Sequence, residues 1–379
     1  MIWEKAILAS SVAAVIYTWM GYPTALWLLR LVLTKEACIA PDAAATFSII
    51  IAAYNEAEQI ASKLDDCLAL EYPEERMEIM VVSDGSMDST DQIVEAYALR
   101  EPRVHLLRTP GRVGKSAAQN LAVRNAIGEI LLFTDSESRM KPEAVQRIAA
   151  GFQDPSIGLI APIVHFGKHA NAVSRGQGAY WRFELWLRQM ESDLGILATA
   201  SGAAFAIRRH LFREIAPHFG DDCVLPLDVC TQKFRVMQET QAIVFDEMPH
   251  TIGDELRTRV RMTARSCAGT LSRPQLFNPL RFPGVAWGLV SHKILRWMTP
   301  FFLAAAFLAN ALLAGRQIFQ FAFFLQCCFY GAALLGWRVS AEGRSAKLLG
   351  YPFAFCLANL GFLLGTVRCM RGARMVAYK

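Results

Sequence analysis

Two kinds of apolar run alternate with polar sequence along the chain, and length separates them. Ala6 to Leu29 holds no charged residue, and Trp297 to Gly315, Gln317 to Trp337 and Leu348 to Val367 are likewise uncharged. As helices rising about 1.5 Å per residue, each is long enough to cross roughly 30 Å of hydrocarbon. Between about Pro41 and Arg281 the apolar runs are short and alternate with amphipathic stretches, the pattern of an α/β domain with a mainly parallel sheet. Phe47 to Ala53 predicts a buried strand, with a helix from about Glu56. Met80 to Ser83 lies in the next strand, with a helix from about Thr90; Val104 to Leu107 is a third; Gly114 to Ile127 is a helix leading into the strand Ile130 to Phe133. Three regions are expected: an anchor over 1–40, the α/β domain over 41–280, and an interfacial stretch with membrane helices over 281–379.

The first run is too long for a signal-peptide core. Its start (Glu4, Lys5) is not strongly basic and no small-residue cleavage site precedes Arg30 and Lys35, so a retained anchor is expected. Because Arg30 and Lys35 follow it, the positive-inside bias puts the polar middle of the chain in the cytoplasm, and the basic loop Arg338 to Lys347 agrees. The tail, with Arg368, Arg371, Arg374 and Lys379, does not agree if all three later runs cross. Either one late segment is interfacial or re-entrant, or the charge rule fails there.

In an open α/β sheet, ligands bind beyond the carboxyl ends of the strands. Tyr54, Asn55 and Glu56 follow the first strand, Asp84, Gly85 and Ser86 the second, with Asp88 nearby, and Asp135 and Glu137 the fourth. Taken alone, the last pair equally reads as a polar turn. Taken together, three loops deliver acids toward one rim, which suits a nucleoside diphosphate. A carboxylate such as Asp84 accepts the imide N–H of a uracil-like base, and Tyr54 offers a ring face beside it. Asp135 and Glu137 supply oxygen ligands to Mg2+ or Mn2+, which neutralises a departing diphosphate. Lys115 adds positive charge there, or else is a solvated lysine at a helix start.

Composition narrows the partners. A net charge of +5 over 379 residues is modest and suits anionic lipid head groups. No basic stripe interleaved with aromatics marks a nucleic-acid surface. Nine cysteines are scattered without a CxxC pair or zinc spacing, so they read as reduced packing residues.

In order, the segments SIIIAAYNE (Ser48 to Glu56), VVSDGSMDST (Val81 to Thr90), GKSAAQN (Gly114 to Asn120), FTDSE (Phe133 to Glu137), SGAAFAIRR (Ser201 to Arg209) and GDDCVL (Gly220 to Leu225) resemble the membrane-associated members of glycosyltransferase family 2. The resemblance implies a GT-A fold and inverting transfer from a nucleotide-diphospho-sugar, with a UDP-sugar favoured, in cell-envelope or exopolysaccharide synthesis. It implies donor binding by Ala53, Tyr54, Glu56, Asp84, Lys115 and Asp135, a divalent cation on Asp135 and Glu137, and Asp222 as general base. Without it, Asp221 and Asp222 read as a loop pair with one pKa raised by its neighbour.

Two departures bear on the acceptor. The metal motif more often has aspartate where Glu137 stands. Many processive members carry Gln-x-x-Arg-Trp, and the nearest match here is Thr258-Arg259-Val260-Arg261-Met262, which keeps only the arginine. That tryptophan commonly stacks on an acceptor sugar, so its loss weakens the case for a growing polysaccharide. Arg257, Arg261 and Arg265 share a face if Glu255 to Leu271 is helical, forming a basic helix at head-group level or simply a solvated one. Asp221, Arg259, Arg261 and Arg265 are the expected acceptor or phosphate contacts, and Trp287 to Trp297 is expected at the membrane surface. The expected activity is transfer to a lipid or lipid-linked saccharide; the alternatives are a processive synthase and an inactive scaffold subunit.

Overall fold

The computed structural model describes residues 2–33, 45–166, 172–246, 251–342 and 347–372. Lys35, Cys38, the expected boundary at 40/41, Arg344, Arg374 and Lys379 lie outside the described residues. An eight-stranded sheet runs in the order β3-β2-β1-β4-β7-β6-β8-β5. The strands are β1 (Phe47–Ala53), β2 (Met77–Ser83), β3 (Val104–Arg108), β4 (Ile130–Thr134), β5 (Arg139–Met140), β6 (Ile157–Phe166), β7 (Ala204–Arg208) and β8 (Arg235–Asp246).

The first half of the sheet follows the hydrophobic pattern. β1 pairs in parallel with β2 and β4, and β2 with β3. Side chains alternate between faces along a strand, and here both faces are covered. Ile49, Ile51, Ile79, Val81 and Leu132 pack with Ile60, Leu64, Val94 and Ile148. Ile50, Met80, Val82, Leu131 and Phe133 pack on the other side with Ala118, Ala122, Leu225 and Val229. Two-sided burial is why these strands read as unbroken apolar runs. β7 is inserted antiparallel between β4 and β6, and β8 runs parallel to β6.

Element limits differ from the sequence pattern where loops are tied to each other. The helix expected from Glu56 begins at Ile60, because 55–57 is engaged elsewhere: Asn55 (φ 56) accepts from the Met87 amide through Oδ1 at 2.8 Å, and the Glu56 amide donates to Thr90 Oγ1 at 2.8 Å. Asp88, grouped above with the rim acids, instead receives the Ala57 amide at 3.1 Å and the Thr90 amide at 3.0 Å. The helix Lys115–Asn125 stops short of Ile127 because Ala126 turns extended toward β4.

Among the described residues, four helices are long and apolar enough to cross a membrane: Ile2–Leu33, Pro283–Leu313, Gln317–Ala341 and Gly350–Met370. The stretch Trp287 to Trp297, expected at the membrane surface, is part of the second of these and contains a π-helical turn, Leu289–Ile294. The helix Ile252–Leu271 starts three residues earlier than expected, with Thr251 Oγ1 capping the Asp254 amide at 3.1 Å. Glycines of the last apolar helix let it approach closely: a Cβ at Gly361 would sit 2.7 Å from Arg259 Cβ, and one at Gly365 would sit 2.5 Å from Thr263 Cβ. The eight described cysteines are free thiols; Cys67, Cys230 and Cys267 are buried as packing residues, while Cys327 and Cys328 are exposed.

Gly365→Val drives branched carbons into Thr263, and overpacking of this kind costs about 1–3 kcal/mol. We expect a lower thermal-unfolding midpoint in detergent; a wild-type midpoint contradicts the close helix contact.

Candidate active site

The site grows from the carboxyl ends of β1, β2 and β4. Asp84 follows β2, and its amide donates to the carbonyl of buried Ala53 at 2.8 Å. Its carboxylate shapes the next loop, accepting from the Val113 amide at 2.7 Å and the Gly114 amide at 2.8 Å. The loop fits only because Gly85 has φ 70 and no Cβ, which would lie 2.8 Å from the Arg112 nitrogen. Arg112, which sequence reasoning missed, stacks its guanidinium 4.0 Å from the centroid of the Tyr54 ring.

Asp84 thereby delivers Lys115 to the start of the helix Lys115–Asn125. Lys115 Nζ lies 2.7 Å from Asp135 Oδ1 and 3.3 Å from Asp221 Oδ2. This is not a solvated lysine: it joins the turn after β4 to the start of the helix Asp221–Thr231. Polar neighbours on the same helix grip the segment before Asp221. Ser116 donates to the Phe219 carbonyl at 3.1 Å, Gln119 to Asp221 Oδ2 at 2.6 Å, and the Asn120 amide pairs with both the carbonyl and the N–H of Ile215 at 2.9 and 3.0 Å. The GKSAAQN segment is thus a clamp.

Within the aspartate pair the two carboxyls are driven apart. Burial alone raises Asp221, but the Lys115 ammonium, the Gln119 amide and the Arg265 guanidinium hold it below the usual carboxylate range. Burial and the Asp221 charge push Asp222 up, against the pull of Lys115 and Arg265. Asp222 is half-buried and folds back over its own helix start, so that a Cβ at Gly220 would lie 2.7 Å from its Oδ1. Gly202 faces it from across the site, where a Cβ would lie 3.6 Å from Asp222 Oδ2.

The acidic turn is braced from beneath by Lys63, a fully buried cation. Its Nζ donates to Thr134 Oγ1 at 2.9 Å and to the Ser138 carbonyl at 2.8 Å, on either side of Asp135 and Glu137. The signal was present, since Lys63 falls on the apolar face of its helix with Ile60, Leu64 and Cys67. Asp135 is partly exposed and Glu137 exposed. Glu56, placed above with the donor contacts, lies beside this turn: burial and repulsion from Glu137, Asp135 and Asp88 raise its carboxyl, against a hydrogen bond with Ser136.

Among the described residues no three acids, histidines or cysteines converge on one metal position. Mg2+ and Mn2+ sites that also take substrate phosphates need only one or two carboxylates, with water completing the shell. The mutual repulsion at Glu56, Asp135 and Glu137 suits such a cation.

The arginines of the helix Ile252–Leu271 diverge. Arg265 reaches the site, donating to the Phe219 carbonyl at 2.6 Å, and Arg261 is half-buried. Arg259 turns away from the acids, pairing with Glu255 and stacking 5.0 Å from the Tyr180 ring beside Gly361. Arg257 is exposed and pairs with Asp254.

Residues 48–216 match the profile of Glycosyl transferase family 2. This stretch of the chain is similar to the domain that defines that family. It is 28% identical over 257 residues to an N-acetylglucosaminyltransferase of Mesorhizobium japonicum, covering 61% of this chain and 58% of that one. It is 35% identical over 107 residues to a dolichyl-phosphate beta-glucosyltransferase of Trichomonas vaginalis, covering 27% and 32%. The first three curated relatives are matched over only 58%, 64% and 61% of their own length. A mannosyltransferase from Pyrobaculum calidifontis, solved with GDP-Man and Mn2+, shares the fold at TM-score 0.68 and 22% identity, over 93% of this chain and 99% of that one. The fold of this chain is therefore GT-A-like, with four long apolar helices among the described residues added to it.

Lys63→Met leaves Thr134 and the Ser138 carbonyl without their buried donor, a loss of about 1–3 kcal/mol. The midpoint of chemical unfolding should fall; an unchanged midpoint contradicts the bracing role.

Proposed function

We propose that the protein is an inverting glycosyltransferase that moves a sugar from a nucleotide-diphospho-sugar, with UDP-sugars favoured, to a lipid or lipid-linked saccharide. The observation that carries this reading is the meeting of Asp135 and Asp221 on Lys115, beside Asp222, at the rim where the carboxyl ends of three strands open. Leaving-group charge and acceptor activation are thereby served within one cluster.

Asp222 is the general base. It takes the acceptor hydroxyl proton while that oxygen bonds to the anomeric carbon, and the bond from that carbon to the diphosphate oxygen breaks on the opposite face. Its raised pKa brings it nearer to that of the proton it must accept. Lys115, between its two carboxylates, offsets charge on the leaving diphosphate. Asp135 and Glu137 would hold a divalent cation, which would supply Lewis-acid neutralisation of the same group. Asp84 has spare lone pairs for a base N–H beyond the two amides it already holds, and the Tyr54–Arg112 stack borders that position.

The acceptor side abuts the membrane helices, where Lys293 lies 3.3 Å from Thr199 Oγ1. Relatives named dolichyl-phosphate beta-glucosyltransferase and beta-monoglucosyldiacylglycerol synthase support a lipid acceptor. The charge pattern of the chain supports an inner-membrane protein with its catalytic domain in the cytoplasm.

A screen of nucleotide sugars with Mg2+ or Mn2+ and membrane lipids, scored by nucleoside diphosphate release and lipid labelling, tests this. Transfer from a UDP-sugar is expected, with Asp222→Asn lowering kcat by about 10²–10⁴-fold at little change in donor KM. No transfer from any donor, or an Asp222→Asn enzyme of wild-type rate, refutes it.

The pH profile gives a separate check. Activity needs Asp222 deprotonated, so rate falls as pH drops through its raised pKa. Asp221→Asn removes the charge that helps raise it and should move the acid limb of kcat to lower pH, whatever it does to the maximum. A limb that stays in place or moves up contradicts the pairing.

A further inference from the structure

A second set of charges lies between the acidic rim and the apolar helices. The helix Ala172–Asp193 buries Glu184, Arg188 and Glu191 along one side. Arg188 pairs with Glu184 at 2.8 Å, and Arg296 of the Pro283–Leu313 helix pairs with the same carboxylate. His292 bridges the glutamates, with Nδ1 2.7 Å from Glu191 Oε1 and Nε2 3.2 Å from Glu184 Oε2. Tyr22 of the first apolar helix donates to the same Glu191 oxygen at 2.7 Å.

Lys293 stands apart from this pattern. Among the described residues it makes no ion pair, and its one hydrogen bond is to Thr199 Oγ1 at 3.3 Å. It is half-buried. Nearby cations each have a carboxylate: Arg188 and Arg296 have Glu184, Lys115 has Asp135 and Asp221, and Arg273 has Asp228 at 2.8 Å. Glu184 and Glu191 lie near enough to favour its charge but neither pairs with it directly, and a half-buried ammonium without a direct partner is costly. Its carrier is also unusual, being the π-helical turn Leu289–Ile294, a distortion frequent at functional sites.

The position is on the acceptor side of the base. Thr199 precedes Ala200, whose amide contacts the Asp222 carbonyl at 3.4 Å, and Gly202, which faces the Asp222 carboxylate. Cys223, beside Asp222, lies in the fields of both Lys293 and Arg265. Two cations from different elements therefore flank the base, one of them carried by an apolar helix.

Building on the lipid-acceptor reading, we propose that Lys293, with Arg265, forms an anion subsite that binds the phosphate of a phosphate-bearing lipid acceptor next to Asp222. A neutral glycolipid acceptor gives this ammonium nothing to neutralise. The donor diphosphate is the other source of phosphate, and it belongs to Lys115 and the acidic turn.

The test compares wild type, Lys293→Gln and Lys293→Arg in detergent, with a polyprenyl phosphate and a glycosyl diacylglycerol as acceptors, measuring KM for donor and acceptor separately. A charge-assisted contact to phosphate predicts about a 10–100-fold rise in acceptor KM for Lys293→Gln with polyprenyl phosphate. Donor KM should stay unchanged, and Lys293→Arg should recover most of the loss. An unchanged acceptor KM, a rise confined to donor KM, or wild-type transfer to the neutral glycolipid alone overturns the subsite. If Lys293→Gln also loses donor binding, Lys293→Arg decides: an acceptor KM restored with donor binding supports the subsite, and continued failure of both overturns it. Wild type that labels neither lipid refutes the lipid-acceptor reading itself. Wild type that labels the phosphate while both variants match it refutes only Lys293.

Discussion

Lys115 joins two carboxylates from distant parts of the chain. Asp135 belongs to the turn after β4 and Asp221 to the first turn of a helix more than eighty residues later, and the same ammonium contacts both. At such distances, in a partly buried setting, each attraction is worth far more than a surface pair. Remove the lysine and two acids face each other beside Asp222, itself raised by its neighbour. Much of the surrounding structure serves this contact. Asp84 shapes the loop that presents Lys115, Gln119 and Asn120 clamp the segment leading to Asp221, and Lys63 steadies the turn bearing Asp135.

What the sequence made legible follows from period and placement. β1 to β4 were readable because burial on both faces leaves uninterrupted apolar runs ended by polar loops. The acids after those runs could be located because strand ends in a parallel sheet share a rim. Less legible were contacts made at long range. Nothing local marks Asp88 as a tie to Ala57, or Arg259 as a partner of Glu255 and the Gly361 helix. Lys63 did carry a local sign, a charge on an apolar helix face, and its meaning emerged only once β4 lay above it.

The apolar helices also resist reading by composition alone. Hydropathy locates four of them, yet Ser291, His292, Arg296 and Thr299 are buried in the second, where a polar network joins it to the α/β domain. Tyr22 brings the first helix into that network through Glu191. The arrangement ties the helix Ala172–Asp193 to the apolar helices by hydrogen bonds and ion pairs.

The account rests on Asp222 activating an acceptor oxygen on the face opposite the diphosphate. The most direct test is the anomeric configuration of the transferred sugar, read from the one-bond C1–H1 coupling in the product and compared with the donor. The account predicts the opposite configuration. Retention of the donor's configuration would contradict it.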